Sequence, residues 1–536
     1  MDLSPQDQSS PRVHWEPSAR AVYGQAGRCH DQSQLHFPVP RDSSAELSRP
    51  HTAAGGIGGS ASRGVRATAI GQLVAIATQL LSVVVLARLL SPEDYGLLAM
   101  VMAIVVIGEV IREFGLASAA IQAPDLPRQH RTNLFWWNTG LGGMCALALF
   151  LCAPLIADFY HEPRITEIAQ ALSLTFLLGG VTTQPKAHLA RDLRFGALAL
   201  TDVLPGALGL AGAIVAALLG WGVWALVAQR LIIAISMLVL AVSFDRWLPG
   251  LPRRSEGMRP LLRYGLNLVG TQLVSGTSRN VDYIVMGHRF GAEATGLYSR
   301  AFELVINTLN QINAPSTKVA VPILSRLQHD EARFTSFLLR GQRTLLFVII
   351  PILGVGATLA EPLVQLALGP QWSAVVPFVQ ALAVVAATDK ILGYATWWYA
   401  LSRAKTDVTF KVTVVKSVLL ITGIIVGSAS GPLGVAWGYA AATTLGWLAD
   451  LAMYRWLADA PSGKLFTNAL VALFMNAIPV AGTLAAAHWL SDLHALAYLL
   501  AGLGTYFALW LSVCLSVPAF RTEMSDAIRL IRRLKR

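Results

Sequence analysis

The chain has 536 residues, of which 54% are apolar and 14% are charged, and its mean hydropathy is +0.53. This composition excludes a set of soluble globular domains and indicates a protein that lies within a membrane. Its net charge of +11 and isoelectric point of 9.7 are also typical of nucleic-acid-binding proteins. The positions of the basic residues therefore decide between the two interpretations.

Residues 1–64 are polar and rich in Ser, Pro, Gly and Arg, which predicts a disordered cytoplasmic leader and no cleavable signal peptide. Apolar runs of about twenty residues follow, each long enough to cross a bilayer as a helix. The fold class is therefore all-α and polytopic, since period-two alternation is missing from these runs. About fourteen spans are predicted, near 66–89, 96–122, 133–157, 165–186, 197–219, 222–244, 264–287, 297–324, 343–368, 374–401, 409–428, 433–455, 466–489 and 495–518.

The basic residues concentrate in every second connection between these spans. The connection at 245–263 alone holds five arginines, whereas those near Gly220, Gly369 and Gly431 hold none. Because basic residues in short loops remain on the cytoplasmic side, both termini are predicted to be cytoplasmic. The basic excess is thus a topology signal, and nucleic acid is not an expected partner.

An internal repeat relates the two halves of the chain. At an offset of 200 residues, Gln72 matches Gln272, Glu93 matches Glu293 and Gly96 matches Gly296. At an offset of 212 residues, Arg191 matches Arg403 and Gly222 matches Gly434. Both offsets join positions on the same predicted side of the membrane, so the repeat is parallel.

The repeat predicts two parallel six-helix lobes followed by two extra C-terminal helices. The predicted domains are an N-lobe at 65–245, a cytoplasmic inter-lobe loop at 246–263, a C-lobe at 264–460, the extra helices at 461–519 and a tail at 520–536. Along the tail, apolar residues recur at helical spacing on one side and basic residues occupy the other side. This pattern predicts an amphipathic cytoplasmic helix that lies on anionic lipid.

Polar residues in the seventh span are the first candidates for a functional site, since a charge at the bilayer centre costs roughly 2.5–3.5 kcal/mol. Arg279 and Asp282 lie beside one polar helical face, two turns beyond Gln272, and Gln72 occupies the equivalent position in the first span. Two interpretations remain open. The residues line a cavity between the lobes, or Arg279 and Asp282 pair with each other inside the bundle.

Two other spans carry charged residues. In the second span, Glu109 is one turn from Arg112 and is predicted to neutralise it, which leaves Glu113 without a local partner. In the eighth span, Glu303 and Asn307 begin a polar stripe. Such a stripe is more polar than a helix facing lipid would tolerate.

Five further charged residues are interpreted as interface residues. Lys416 lies a few residues inside its span, where its apolar stem would allow the ammonium group to reach the cytoplasmic interface. The other four lie near predicted span ends: Arg230, Arg300, Glu361 and Asp450.

Six segments together carry a family resemblance: Leu86–Leu97, Phe114–Gln122, Arg191–Phe195, Val281–Gly287, Gly296–Ser299 and Val321–Gln328. Their order and spacing resemble the oligosaccharide flippases of the multidrug/oligosaccharidyl-lipid/polysaccharide superfamily. Within it they are most similar to the Wzx-type polysaccharide transporters. The resemblance covers about residues 62–460.

The resemblance implies two lobes around a central cavity that export polyprenyl-pyrophosphate-linked oligosaccharides across the bacterial cytoplasmic membrane by alternating access. It implies a role in lipopolysaccharide or exopolysaccharide synthesis, with a polysaccharide polymerase or glycosyltransferase as partners. Translocation involves no covalent chemistry, so neither an enzyme activity, a cofactor nor a metal is expected.

A pyrophosphate head group carries about two negative charges, which the bidentate guanidinium of Arg binds better than Lys does. The predicted cavity residues for substrate binding are Arg112, Arg279, Gln72, Gln272 and Asn307. The predicted residues for head-group capture at the cytoplasmic rim are Arg191 and Arg403, for which positive-inside anchoring is the alternative. The candidates for ion coupling, by exchange of a proton against substrate, are Asp282, Glu303 and Glu113.

Alternative functions within the superfamily are a flippase for a peptidoglycan lipid precursor and a drug or cation exporter. A membrane polysaccharide polymerase is disfavoured because the outer loops are short and the largest inner loop has only isolated carboxylates. A cation exporter would place acidic residues towards the first lobe, but the first span contains none.

Overall fold

The computed structural model describes residues 54–113, 120, 127–253, 280–490 and 493–517, and every regular element in these ranges is a helix. The first lobe contains α1 (Ala54–Leu89), α2 (Pro92–Glu113), α3 (Arg128–Tyr160), α4 (Arg164–Arg191), α5 (Phe195–Leu218) and α6 (Val223–Asp245).

The second lobe contains shorter helices joined into longer rods. They are α7 (Val281–Phe302), α8 (Thr308–Arg326), α9 (Glu331–Thr358), α10 (Ala360–Ala367), α11 (Val376–Val385), α12 (Tyr394–Ser402), α13 (Thr406–Gly427) and α14 (Pro432–Ala458). π-helical turns join α7 to α8 (Glu303–Asn307) and α11 to α12 (Ala386–Leu392). The two extra helices are α15 (Ser462–Leu490) and α16 (Ala495–Ser516).

Eleven helical stretches in the described ranges are long and apolar enough to cross a membrane. The chain is a multi-pass membrane protein, as its composition predicted. Most of the predicted seventh span lies outside the described residues, so the count of fourteen stays a prediction. Gly291, with φ 78° and ψ −172°, interrupts α7 between the predicted seventh and eighth spans, in a conformation that only glycine adopts readily.

Two glycines aligned by the offset of 200 bring the lobes into contact. A Cβ atom on Gly96 of α2 would lie 1.7 Å from the carbonyl oxygen of Ala292 in α7. A Cβ atom on Gly296 would lie 1.7 Å from the carbonyl oxygen of Pro92. Since Pro92 and Ala292 are themselves 200 residues apart, the contact is symmetric, as expected where the axis of a parallel repeat passes between its copies.

Hydrogen bonds beside the glycine contact join the turn between α1 and α2 to the second lobe. The indole of Trp372, which is fully buried, donates to the carbonyl oxygen of Ala87 at 2.7 Å, and the Gln371 amide donates to the same oxygen at 2.9 Å. Arg88 donates to the carbonyl oxygen of Leu366. We refer to residues 86–96, 291–296 and 366–372 together as the closed end.

The turns that follow α4 and α12 are equivalent at an offset of 211. Leu193 (φ 55°) and Ala404 (φ 50°) are both left-handed. The residues before them, Asp192 and Arg403, each donate a main-chain N–H to the carbonyl four residues earlier. The offset of 212, predicted from the match of Arg191 with Arg403, is therefore wrong by one residue in this turn.

The segment after α6 packs against α3. The side-chain amide of Asn133 donates to the carbonyl oxygen of Arg253 at 2.7 Å, and its oxygen accepts from the Arg253 N–H at 3.2 Å. The Trp136 indole donates to the carbonyl oxygen of Gly250 at 2.9 Å. The first half of the predicted inter-lobe loop thus packs against the first lobe. Residues 254–263 lie outside the described residues.

The two extra helices dock on the second lobe through polar side chains. Asn468 of α15 donates to Gln342 of α9 at 3.0 Å and accepts from Arg343 Nε at 2.9 Å. Tyr506 of α16 donates to Asn476 of α15 at 3.0 Å. Hydrogen bonds between transmembrane helices contribute about 0.6 kcal/mol on average, so several together fix the position of the pair.

We expect Gly96→Val and Gly296→Val each to prevent the lobes from meeting at the closed end, because the new side chain occupies the position of a backbone carbonyl. The reporter is Met100→Cys, since Met100 is fully buried; its maleimide labelling should rise severalfold. Gly140→Ala is the control, because a Cβ there has open space. Unchanged labelling in both valine variants would contradict the assigned contact.

Candidate functional site

A cavity of about 570 Å³ lies among α2, α4, α5 and α6 of the first lobe. It begins near Met102, about 9 Å along α2 from the glycine contact, and reaches Ala190 near the end of α4. It therefore occupies the half of the lobe that is remote from the closed end. Its charged lining residues are Glu109, Arg112, Glu113, Lys186 and Arg230.

Arg112, a predicted binding residue, lies in the cavity wall with 8% of its surface exposed. Its Nε donates to Glu109 at 2.8 Å, and its Nη1 donates to the Thr183 hydroxyl at 3.0 Å. Glu113 lies 4.0 Å away and its side chain is 61% exposed. Arg112 and Glu109 thus form a neutralised ion pair in the cavity wall, in agreement with their spacing, and Glu113 provides an accessible carboxylate beside it.

Helix α4 determines where the Arg112 guanidinium lies. A Cβ atom on Gly179 would be only 3.0 Å from Arg112 Cζ, so the guanidinium approaches the helix where a side chain is missing. One turn later, Thr183 donates to the carbonyl oxygen of Gly179 at 2.8 Å and accepts from Arg112. These two residues together fix the orientation of the guanidinium.

Two further cations line the cavity, and neither belongs to the residues predicted to bind substrate there. Lys186, the last residue of the predicted fourth span, lies inside α4 and pairs with Asp202 of α5 at 2.6 Å. Arg230 lies in the wall with an exposed side chain. It is the eighth residue of α6, about 10 Å from the helix start, so its side chain contributes to the cavity wall in addition to any role at the interface. That depth is the signal in the sequence that identifies it.

Three predicted residues lie outside the wall of this cavity. Gln72 in α1 and Asn307, at the end of the π-helical turn, are exposed. Asp282 is 1% exposed and accepts a hydrogen bond from the Tyr298 hydroxyl at 2.7 Å, inside the second lobe. Their roles in binding and coupling stay predictions. Two further predicted cavity residues lie outside the described residues: Gln272 and Arg279.

Glu303, a coupling candidate, belongs to a charged group where the lobes meet. It begins the π-helical turn and pairs with Arg300, whose guanidinium carbon lies 3.8 Å from the ring centroid of Tyr95 in α2. π-helical turns are frequent at functional positions. We refer to Tyr95, Arg300 and Glu303 as the cross-lobe charge cluster.

The two predicted rim residues lie at the C-terminal ends of α4 and α12. Arg191 donates to the carbonyl oxygen of Ala120 at 2.9 Å. Arg403 pairs with Glu331, and its guanidinium lies 4.4 Å from the centroid of the Phe334 ring. Both side chains thus have intramolecular partners, and head-group capture by them stays a prediction.

Lys416 forms an ion pair with Asp450 of α14 at 3.0 Å, and the Asp450 side chain is only 6% exposed. The interpretation of these two as separate interface residues is therefore corrected. They lie on neighbouring helices, and the pair could not be read from the spacing along one helix.

Residues 85–377, more than half of the chain, match the family described as polysaccharide biosynthesis protein. The chain belongs to this family. The matched range includes Arg112, Lys186 and the complete cross-lobe charge cluster.

Curated relatives of this polysaccharide biosynthesis protein extend over most of its length. It is 26% identical to the lipopolysaccharide biosynthesis protein WzxC of Escherichia coli (strain K12), over 70% of this chain and 77% of WzxC. It is 25% identical to the teichuronic acid biosynthesis protein TuaB of Bacillus subtilis (strain 168), over 66% of this chain and 72% of TuaB. It is 26% identical to the succinoglycan biosynthesis transport protein ExoT of Rhizobium meliloti (strain 1021), over 56% of this chain and 61% of ExoT.

Solved structures identify the fold of this family member. The lipid II flippase MurJ, in an inward closed conformation, superposes with a TM-score of 0.67 at 14% identity, over 83% of this chain and 97% of MurJ. An inward-facing multidrug resistance transporter of the MATE family, within the MOP superfamily, gives a TM-score of 0.53 at 16% identity, over 74% of this chain and 99% of the transporter. The expected transporter fold is thereby confirmed.

We expect Thr183→Val to lower polysaccharide export about tenfold, because Arg112 loses a hydrogen bond of the charge-assisted kind and its orientation along α4. Thr183→Ser keeps the hydroxyl and should export at near the parental rate. Export is measured in a complemented strain and normalised to the amount of protein in the membrane. Equal export by the valine and serine variants would refute a positioning role for the hydroxyl.

Proposed function

We propose that the protein is a flippase that moves a polyprenyl-pyrophosphate-linked oligosaccharide across the bacterial cytoplasmic membrane for surface or extracellular polysaccharide synthesis. The observation that carries this proposal is a cavity lined by Arg112, Lys186 and Arg230 inside a lobe of membrane-spanning helices. The relatives WzxC, TuaB and ExoT are named for the biosynthesis or transport of sugar polymers, which supports a transporter with such a substrate.

The chemistry of the cavity suits a pyrophosphate head group. An anion stripped of water needs cationic donors, and a guanidinium supplies two parallel N–H groups to one phosphate. In the present state Glu109 and Asp202 neutralise Arg112 and Lys186. We infer that the head group exchanges with these carboxylates, so that the cations are never left without a partner in a medium of low dielectric constant.

The positions of the cavity and the closed end support alternating access. The lobes touch at Gly96 and Gly296, whereas the cavity extends towards the C-terminal ends of α2 and α4. The alternation of basic residues along the sequence assigns those C-terminal ends to the cytoplasm. On this assignment the protein is closed to the outside, and its cavity faces the side on which the lipid-linked sugar is made.

Ion coupling is proposed for carboxylates that change their surroundings during transport. Glu113 is accessible at the cavity wall, and Glu303 lies in the cross-lobe charge cluster. Asp282 is enclosed in the second lobe in this state, so its participation would require movement of α7.

A drug or cation exporter is the second candidate, and one observation favours it. Glu109 and Glu113 bring two carboxylates to a cavity of the first lobe, as a cation-binding site would require. Because Glu109 is held by Arg112 at 2.8 Å, only Glu113 is available to a cation in this state.

Deletion of the gene should trap lipid-linked oligosaccharide on the cytoplasmic side and remove the surface polymer, because the head group cannot cross the bilayer unaided. Accumulation is measured by mass spectrometry of extracted polyprenyl lipids, with a plasmid-borne copy as the control. An unchanged lipid-linked pool together with reduced efflux of cationic dyes would instead support the exporter.

Arg112→Gln should reduce polysaccharide export at least tenfold, since the head group loses a bidentate cation and Glu109 loses its partner. Arg112→Lys keeps the charge but not the planar geometry and should restore only part of the activity. The matched control is Arg333→Gln, because the Arg333 side chain is 79% exposed. Parental export by Arg112→Gln, with equal membrane insertion, would remove this residue from the mechanism.

A further inference from the structure

A backbone carbonyl in the last turn of α3 has no donor of the helical kind. In a continuing helix the carbonyl oxygen of Phe159 would accept from the N–H of the residue four positions later. That residue is Pro163, which has no N–H group. The main chain of the turn after α3 donates to the carbonyls of Ala157 and Asp158. The Phe159 carbonyl therefore needs a side-chain donor.

Two imidazole rings supply this donor, one from each lobe. His288 of α7 binds the Phe159 carbonyl oxygen through Nδ1 at 2.7 Å, and His161, which caps α3, binds it through Nδ1 at 3.2 Å. A carbonyl oxygen only accepts, so both Nδ1 atoms carry hydrogen, and Nε2 is the atom of each neutral ring that can take up a proton. Both histidines are exposed to the solution. We refer to Phe159, His161 and His288 as the histidine contact.

The ring of His288 lies where a positive charge is favoured. It stacks on the Phe159 ring, with 4.4 Å between the centroids and 17° between the planes, and the face of an aromatic ring attracts a cation. It also lies at the C-terminus of α3, where helix carbonyls give a partial negative charge. Protonation makes its bond to the carbonyl charge-assisted and therefore stronger. All three effects require the lobes to be in contact.

The ring of His161 opposes a second proton. Its centroid lies 5.8 Å from that of the His288 ring, so two charged rings would repel each other. This repulsion arises only when both rings are charged. A single proton on His288 therefore strengthens the contact between the lobes.

The charged groups around the histidine contact are mostly acidic. Arg164 pairs with Glu162 at 2.8 Å and also with Glu93, and Arg289 donates to the Ser428 hydroxyl at 2.8 Å. Among the described residues, the titratable and charged groups at these ends of α2, α3, α4 and α7 and in the turn between α3 and α4 are Glu93, Asp94, Tyr95, Asp158, Tyr160, Glu162, Arg164, Glu167, Arg289 and Glu293. Six carboxylates against two arginines leave surroundings that favour a cationic ring.

We propose that a proton taken up at His288 strengthens its bond to the end of α3 and holds the closed end together. The lobes lose this contact when they separate, so protonation favours the closed state. The added stability is present at low pH and is lost as the pH rises through the range in which imidazole titrates, about pH 5–8. On the side assignment of the proposed function, on which this consequence rests, acid outside the cell slows opening towards the outside.

The experiment uses the full chain in lipid nanodiscs, with the four native cysteines replaced and Met100→Cys as the reporter. Met100 is fully buried, and a Cβ on Gly287, the neighbour of His288, would lie 2.8 Å from its Cγ, so labelling requires the lobes to separate. Maleimide labelling is measured at about pH 5.5 and about pH 7.5. Each rate is divided by that of Arg333→Cys, an exposed position, because the reactive thiolate fraction changes with pH.

The normalised labelling rate of the parent should be about three- to tenfold lower at the acidic pH. His288→Gln keeps an amide donor but takes up no proton, so its rate should be the same at both pH values. Phe159→Leu keeps the carbonyl but removes the ring face and should reduce the pH response about twofold; it tests the same contact if His288→Gln does not fold. His329→Gln, at an exposed histidine of another turn, is the matched control and should respond as the parent does.

A parental pH response in His288→Gln would overturn the assignment of the proton to this ring. A parent rate that is equal at both pH values would overturn the proposal. A rate that is higher at the acidic pH would also overturn it, because repulsion between His161 and His288 would then outweigh the attractions.

The measurement contains no substrate, so its failure leaves the proposed function intact. A deletion strain that traps no lipid-linked oligosaccharide would overturn the proposed function and leave the histidine contact intact. The two failures are therefore distinguishable.

Discussion

The arrangement of this protein depends on the need to match every charge that is placed among apolar helices. Lys186 with Asp202 joins α4 to α5, and Lys416 with Asp450 joins α13 to α14. Each pair combines two residues that would separately be expensive to insert into a bilayer. Charge matching therefore also selects which helices become neighbours.

Much of the architecture could be predicted because it depends on local sequence. Apolar run length determines which segments become spans, and the i, i+3 spacing of Glu109 and Arg112 is enough to predict their ion pair. The repeat at an offset of 200 was visible from a few identities, and the contact of Gly96 with Gly296 agrees with it. In each case the interacting groups are close in sequence or are related by one constant offset.

The remaining features depend on contacts between helices that are distant in sequence. The partnership of Lys186 with Asp202 requires the packing of α4 against α5, and the position of Arg230 requires the shape of the cavity. The second offset of the repeat was displaced by one residue because it was drawn from too few identities to fix a register. When the two left-handed turns are matched, Arg191 and Arg403 lie one residue out of register.

The symmetric glycine contact has a consequence for the history of a duplicated chain. Copies of a gene segment usually provide redundancy, because one can drift while the other preserves the original property. At Gly96 and Gly296 this freedom is lost, since each backbone occupies the place that a side chain on its counterpart would need. Both halves must keep the smallest residue simultaneously, so the duplication has doubled the number of sites at which one nucleotide change can abolish the fit.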